Sequence, residues 1–330
     1  MTAFHLSDTE ESVSALQEPD VTHQTQALVP DRRPILGLLF VICAAFAFST
    51  KAVIIKVAYG YGGHITPVML MALRMSMALP FFITAIILLE CNKRNNHRPL
   101  TGKDKFRLLS LGVVGFYVAA WLDFQGLSYI SASLERLILL LYPTLVILLS
   151  AIFLRRPINV KEAVALMVSY VGIIIVFYQE LNLADSNIML GSALIFGSAT
   201  AFAIYLIGSG EMIKHLGAPR FTAYAMTIAC MATLAHFAME FDPVVMDLPV
   251  DVYILALLMA VVSTVIPAFL MSAGIYHLGA GPASIISAMG PVMTIFLAYL
   301  VLDEQLTAVQ FLGAALVIAG VFVVSSGKKK

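Results

Sequence analysis

Long apolar runs separated by short polar breaks set the pattern of this chain. A helix that crosses a bilayer needs about 20 mainly apolar residues. Ten stretches fit that length, at 34–57, 67–89, 106–125, 132–154, 160–178, 189–210, 221–240, 252–276, 282–302 and 307–326. The breaks between them leave no polar stretch long enough for a soluble domain. The pattern predicts an all-α membrane protein with ten transmembrane helices. Residues 1–33 are polar and acidic, with no basic segment leading into an apolar one. They read as a disordered cytoplasmic tail rather than as a signal peptide.

Composition agrees with the pattern. Of 330 residues, 60% are hydrophobic and 12% charged, and the mean hydropathy is +0.91. A soluble domain carries about 25% charged residues, so the bilayer is the first expected partner. The formal net charge is zero, which gives no sign of a nucleic-acid partner. Cys43, Cys91 and Cys230 have no metal or redox spacing and read as free thiols.

The distribution of charge adds orientation. Basic residues outside the apolar runs fall in alternate linkers: Arg32 and Arg33; Lys93 to Arg107; Arg155, Arg156 and Lys161; Lys214 and Arg220; Lys328 to Lys330. The other linkers receive Glu180, Asp185, Glu240, Asp242, Asp247, Asp251, Asp303 and Glu304. Basic linkers stay cytoplasmic. This predicts an even number of spans with both termini in the cytoplasm, in a plasma (bacterial inner) membrane.

A motif then recurs. SASLERLILLLYPTLVILLSAIFLRRPI, from Ser131 to Ile158, returns at an offset of 148 as GAGPASIISAMGPVMTIFLAYLVLDEQL, from Gly279 to Leu306. The offset pairs Gly126 with Gly274, Ala132 with Ala280, Pro143 with Pro291, Leu154 with Leu302 and Gly172 with Gly320. A second register pairs Gly37, Ala45, Ala47 and Phe48 with Gly191, Ala199, Ala201 and Phe202. Two halves are expected, 34–178 and 189–326, each of five helices. Five is odd, so the second half enters the membrane upside down, which explains why Asp303 and Glu304 stand where the first copy has Arg155 and Arg156. An inverted 5+5 repeat is a transporter architecture, with a midplane site between rocking halves.

On these residues the chain resembles the EamA family of the drug/metabolite transporter superfamily, over about 34–326. The match is strongest in GPASIISAMGPVMTIFLAYLVLDEQLTAVQFLGAALVIAGV, including the closing Glu304. The first half departs from the family pattern, with Arg155–Arg156 where a Gly-Glu type ending is usual. The resemblance implies export or exchange of small metabolites, amino acids among them; relatives carry nucleotide sugars or phosphorylated sugars.

Charges inside a bilayer cost about 2.5–3.5 kcal/mol on insertion scales, so each needs a reason. Lys51, Lys56, Arg74, Asp123, Glu135 and Arg136 all lie in apolar runs of the first half, at similar expected depth. Lys56 is near a helix end and can reach water along its stem. Arg74 requires a partner, which is Asp123, Glu135 or a substrate anion. Asp123 is the candidate for proton coupling. Glu135 and Arg136 read either as site residues or as a pair at the helix entrance. Trp121, Tyr142 and Tyr205 are candidate lining aromatics, with Tyr117 and Tyr299 as further ones. The candidate substrate-binding set is therefore Lys51, Arg74, Trp121, Asp123, Glu135, Arg136, Tyr142 and Tyr205.

Pro143 and Pro291 each free a backbone carbonyl, at Leu139 and Ser287, or simply bend a helix for packing. Gly37, Gly172, Gly197, Gly313 and Gly320 read as sites of close helix packing. No nucleophile elbow, metal-binding spacing or phosphate loop is present, so no catalysis, cofactor or metal is expected. The expected function is alternating-access transport of a small-molecule substrate, with a homodimer left open. The rival readings are an intramembrane enzyme, a non-transporting sensor or scaffold, and a channel.

Overall fold

A computed structural model describes residues 34–62, 64–91, 100–153, 187–278, 290–304 and 307–326, with isolated helical positions between 160 and 175 and at 286. The described residues are helical throughout, without strands. α1 is Pro34–Tyr59 and α2 is Pro67–Cys91. α3 joins Gly102–Gly112, a π-helical turn at Val113–Val118, and Ala119–Leu127. α4 is Ala132–Leu139 followed by Tyr142–Phe153. α5 is Ile188–Leu216 and α6 is Ala218–Met239. α7 joins Val250–Ala260, a π-helical turn at Val261–Val265, and Ile266–Leu278. α8 is Gly290–Leu302 and α9 is Ala308–Ser326. Seven of these helices are long and apolar enough to cross a membrane, and Met293–Leu302 is a shorter apolar helix.

The extent of the predicted helix 160–178 lies outside the described residues, as do the tail 1–33, Arg155, Arg156, Lys328 to Lys330 and the start of the predicted helix 282–302. Elsewhere boundaries shift for local reasons. α3 starts earlier than its apolar run because Thr101 and Asp104 form a capping box. Lys103, Lys105 and Arg107 therefore lie on its first turns rather than in a linker. Arg220, read as a linker cation, is buried at the start of α6, where Glu90 of α2 accepts from its Nε at 2.5 Å and Nη2 at 3.1 Å.

Proline chemistry breaks α4 where the sequence predicts. Pro143 has no N–H to give to Leu139, and the chain turns at Leu140 and Leu141 before Leu145 N bonds to Leu141 O at 2.9 Å. Pro291 falls in the first turn of α8, and Ser287 lies outside the described residues.

The matched glycines meet in two equivalent contacts. A Cβ on Gly126 of α3 would stand 2.4 Å from Ile195 Cδ1 and 3.0 Å from Gly191 O on α5. A Cβ on Gly274 of α7 would stand 2.4 Å from Val41 Cγ2 and 3.3 Å from Gly37 O on α1. In return, a Cβ on Gly191 would meet Tyr129 Cβ and Ile130 Cγ2 at 2.7 Å, and one on Gly37 would meet His277 Cβ at 2.7 Å and Leu278 Cγ at 2.9 Å. His277 and Leu278 are Tyr129 and Ile130 displaced by 148, and Ile195 is Val41 displaced by the 154 that also relates Gly37 to Gly191. The two π-helical turns start 148 residues apart as well, at Val113 and Val261.

Small residues let these backbones approach, which is the packing that apolar helices use where no hydrophobic effect drives them together. Large apolar side chains such as Leu39, Phe46, Leu88, Phe296 and Leu300 remain exposed on the outside. They suit contact with lipid. Inside, Phe82, Phe124, Met69, Met71 and Met75 are fully covered and form the largest core cluster with α1, α2 and α3 residues. The charged side chains sit beside that cluster.

Candidate functional site

Four helices bring the intramembrane charges together. Lys51 projects from α1, and its Nζ lies 2.6 Å from Asp123 Oδ2 of α3 and 3.5 Å from Glu135 Oε1 of α4. Lys51 is 17% exposed at its side chain, Asp123 3% and Glu135 0%. Among the described residues no donor forms a hydrogen bond with Asp123 Oδ1 or with either Glu135 oxygen. Both carboxyl groups instead face the same ammonium, that of Lys51.

Arg74 of α2 completes the group differently from expectation. The carboxylates proposed as its partners face Lys51 instead. Among the described residues no carboxylate lies within ion-pair distance of its guanidinium, and its Nε has no hydrogen-bond partner. The residue is only 5% exposed. Its guanidinium carbon stands 4.7 Å over the ring of Phe124, a cation–π contact. Nearby, Tyr59 Oη donates to Phe124 O at 2.8 Å. An arginine remains charged, and burying it without an anion is costly.

Arg136 has a structural task. Its Nε donates to Thr294 Oγ1 of α8 at 3.0 Å, and its Nη2 to Phe48 O of α1 at 2.6 Å. Thr294 in turn donates to Ser49 O at 3.2 Å, and Ser49 Oγ to Gly290 O at 3.0 Å. These bonds sew α1, α4 and α8 together.

The aromatic candidates divide. Trp121 packs edge-on to His236 of α6, with centroids 6.2 Å apart, and its buried Nε1 has no acceptor among the described residues. His236 Nδ1 shares a 2.9 Å hydrogen bond with Tyr117 Oη, and its Nε2 lies 3.3 Å from Glu240 Oε1. Tyr142 and Tyr205 belong to an aromatic stack rather than to the Lys51 group. Tyr142 meets Phe202 at 5.4 Å, Phe202 meets Tyr205 at 5.6 Å, and Tyr205 meets Phe116 at 4.7 Å. Gly115 makes room for it, since a Cβ there would lie 2.3 Å from Tyr205 Cγ.

Sequence reasoning passed over His236 and Tyr59. Tyr117 and Trp121 lie four residues apart on one face of α3, which was a usable signal. Nothing local points from that face to a histidine on α6. The asymmetry of the site is plain in the two registers: Lys51 corresponds to Tyr205, and Asp123 to Met271. One half of the chain carries ions where the other carries an aromatic ring and a thioether.

Long apolar helices around a small buried group of ions define a multi-pass membrane protein with the features of a solute transporter. The chain belongs to the EamA-like transporter family, whose model matches residues 35–178 and again 189–326. The uncharacterized transporter YcbK of Bacillus subtilis is 30% identical over 90% of this chain and 93% of its own length. The uncharacterized transporter YyaM of the same organism is 24% identical over 87% of this chain and 93% of its own length. A solved crystal structure of a protein superposes with a TM-score of 0.61 at 15% identity, covering 88% of this chain and 97% of that one, a likeness of fold.

Proposed function

We propose that this protein moves a small amino acid or organic anion across the plasma (bacterial inner) membrane by alternating access, in the direction of export or by exchange. In this reading ten helices form an inverted 5+5 repeat, 34–178 and 189–326, with both termini cytoplasmic. The twofold family match and the paired glycine contacts support the repeat. Equivalent packing in both halves suits two arrangements of similar energy, which rocking requires.

The observation that carries the solute class is Arg74. A buried guanidinium that has no ion pair, and no hydrogen bond at Nε, among the described residues is a receptor for a carboxylate, which its planar fork binds in two places. Phe124 supplies apolar surface beside it. Coupling runs through Asp123, whose carboxylate pairs with Lys51 beside Glu135. The test is a metabolite release and uptake screen in cells with and without the protein, followed by uptake into liposomes under an imposed pH gradient. Movement of carboxylate solutes that Arg74→Gln abolishes is the expected result. Movement only of cations or neutral sugars overturns the solute class.

A further inference from the structure

α4 opens with the residues SASLER, and its N-cap is Ser131, whose side chain accepts from Leu134 N at 3.1 Å. A local capping box places an acidic residue three positions after the cap, within reach of the cap's own N–H. Here that position is Leu134, and the glutamate comes one residue later. Glu135 therefore turns inward and faces Lys51. The first-turn amides still require an acceptor.

They find it in Glu304, far along the chain. Glu304 Oε1 accepts from Ala132 N at 2.9 Å, and Oε2 accepts from Ser133 N at 3.3 Å and Ser133 Oγ at 2.6 Å. A strained turn after α8 delivers this carboxylate. Asp303 has φ of 53°, the one non-glycine residue with positive φ among the described residues. Such strain persists where surrounding structure holds it, and it points to a task at that position. Glu304 N then bonds back to Ala298 O at 3.4 Å. α8 grips α4 a second time through Thr294 and Arg136. Ser133 and Arg136, on either side of Glu135, are thus both held by the same neighbouring helix and its end.

We propose that Glu304 is a positioning residue for the charged group: it caps α4 from the other half of the chain and sets the direction in which Glu135 meets Lys51. The inference rests on reading that group as the solute site. At the matching positions of the first half stand Arg155 and Arg156, whose guanidinium groups have no acceptor. The sequence therefore supplies this anionic cap once, on the copy of the motif that itself lacks the intramembrane charges.

The test uses the full chain in nanodiscs and liposomes. In Glu304→Ala, amide hydrogen exchange at Ala132 and Ser133 should accelerate about fivefold, the scale of a lost helix cap. Glu304→Gln keeps an acceptor oxygen and should restore much of the protection. Counterflow of a radiolabelled mixture of L-amino acids and dicarboxylates should show KM raised about fivefold in Glu304→Ala, with the maximal rate little changed and partial rescue by Glu304→Gln. Unchanged exchange overturns the cap, and faster exchange with unchanged KM overturns the positioning. Should wild type move none of these solutes, the transport reading fails separately. A thermal-unfolding cycle of Glu304→Ala with Glu135→Gln then decides: non-additive effects support positioning, and additive effects overturn it.

Discussion

Lys51 Nζ lies 2.6 Å from Asp123 Oδ2, so an ammonium on α1 and a carboxylate on α3, 72 residues apart, are bound in the interior. Removing one partner of a buried pair costs about 3–5 kcal/mol, because the other charge remains buried. Lys51→Met should therefore destabilise the protein by about 3 kcal/mol, and adding Asp123→Asn should recover part of the loss. Thermal unfolding of purified variants measures both. A Lys51→Met protein as stable as wild type would show that the pair does not bear on folding.

Arg74 should matter more for transport than for folding. No carboxylate in the described structure is left stranded when it is replaced. Arg74→Gln and Arg74→Lys should each lower uptake by at least about tenfold at equal protein level, since lysine keeps the charge but not the planar fork. Full transport by both Arg74→Gln and Lys51→Met would remove the charged group from the solute site.

The glycine contacts predict an energetic coupling. Gly126→Ala puts a Cβ 2.4 Å from Ile195 Cδ1. Overpacking of this kind costs about 1–3 kcal/mol. Ile195→Ala removes the obstructing atoms but itself empties a fully buried position, so the double variant should lose less stability than the sum of the two single losses. The counterpart experiment, Gly274→Ala with Val41→Ala, should behave alike. A glycine substitution tolerated in one half and not in the other would argue against equivalent packing.

Orientation is checked by reporter fusions. The segment 90–107 and the C-terminus should both report cytoplasmic. A C-terminus on the far side would exclude ten spans and the inverted pairing with it.

Much of the helical frame was legible along the chain, because lipid imposes a rule that local composition must obey. Every backbone group in the hydrocarbon layer needs an internal partner, so apolar runs of spanning length become helices. Helix ends were less legible. The start of α3 depended on the Thr101–Asp104 box rather than on hydropathy, and Arg220 became a buried partner of Glu90 because α2 and α6 lie side by side. The candidate site was legible as a set of costly charges, and only partly as a geometry. Lys51, Asp123 and Glu135 do converge, whereas Arg136 is spent on Thr294 and Phe48, and Tyr142 and Tyr205 join an aromatic stack.

Class and the expectation of a repeat therefore follow from one dimension: hydropathy, alternating charge and matched glycines are properties of order along the chain. Pairing does not follow from it. Which carboxylate Lys51 takes, why Arg74 is left facing Phe124, and that Glu304 caps a helix from the other half are decisions of the tertiary structure. They depend on which helices lie adjacent and how each is rotated, and an intramembrane charge binds whatever opposite charge or open amide its helix is turned to meet.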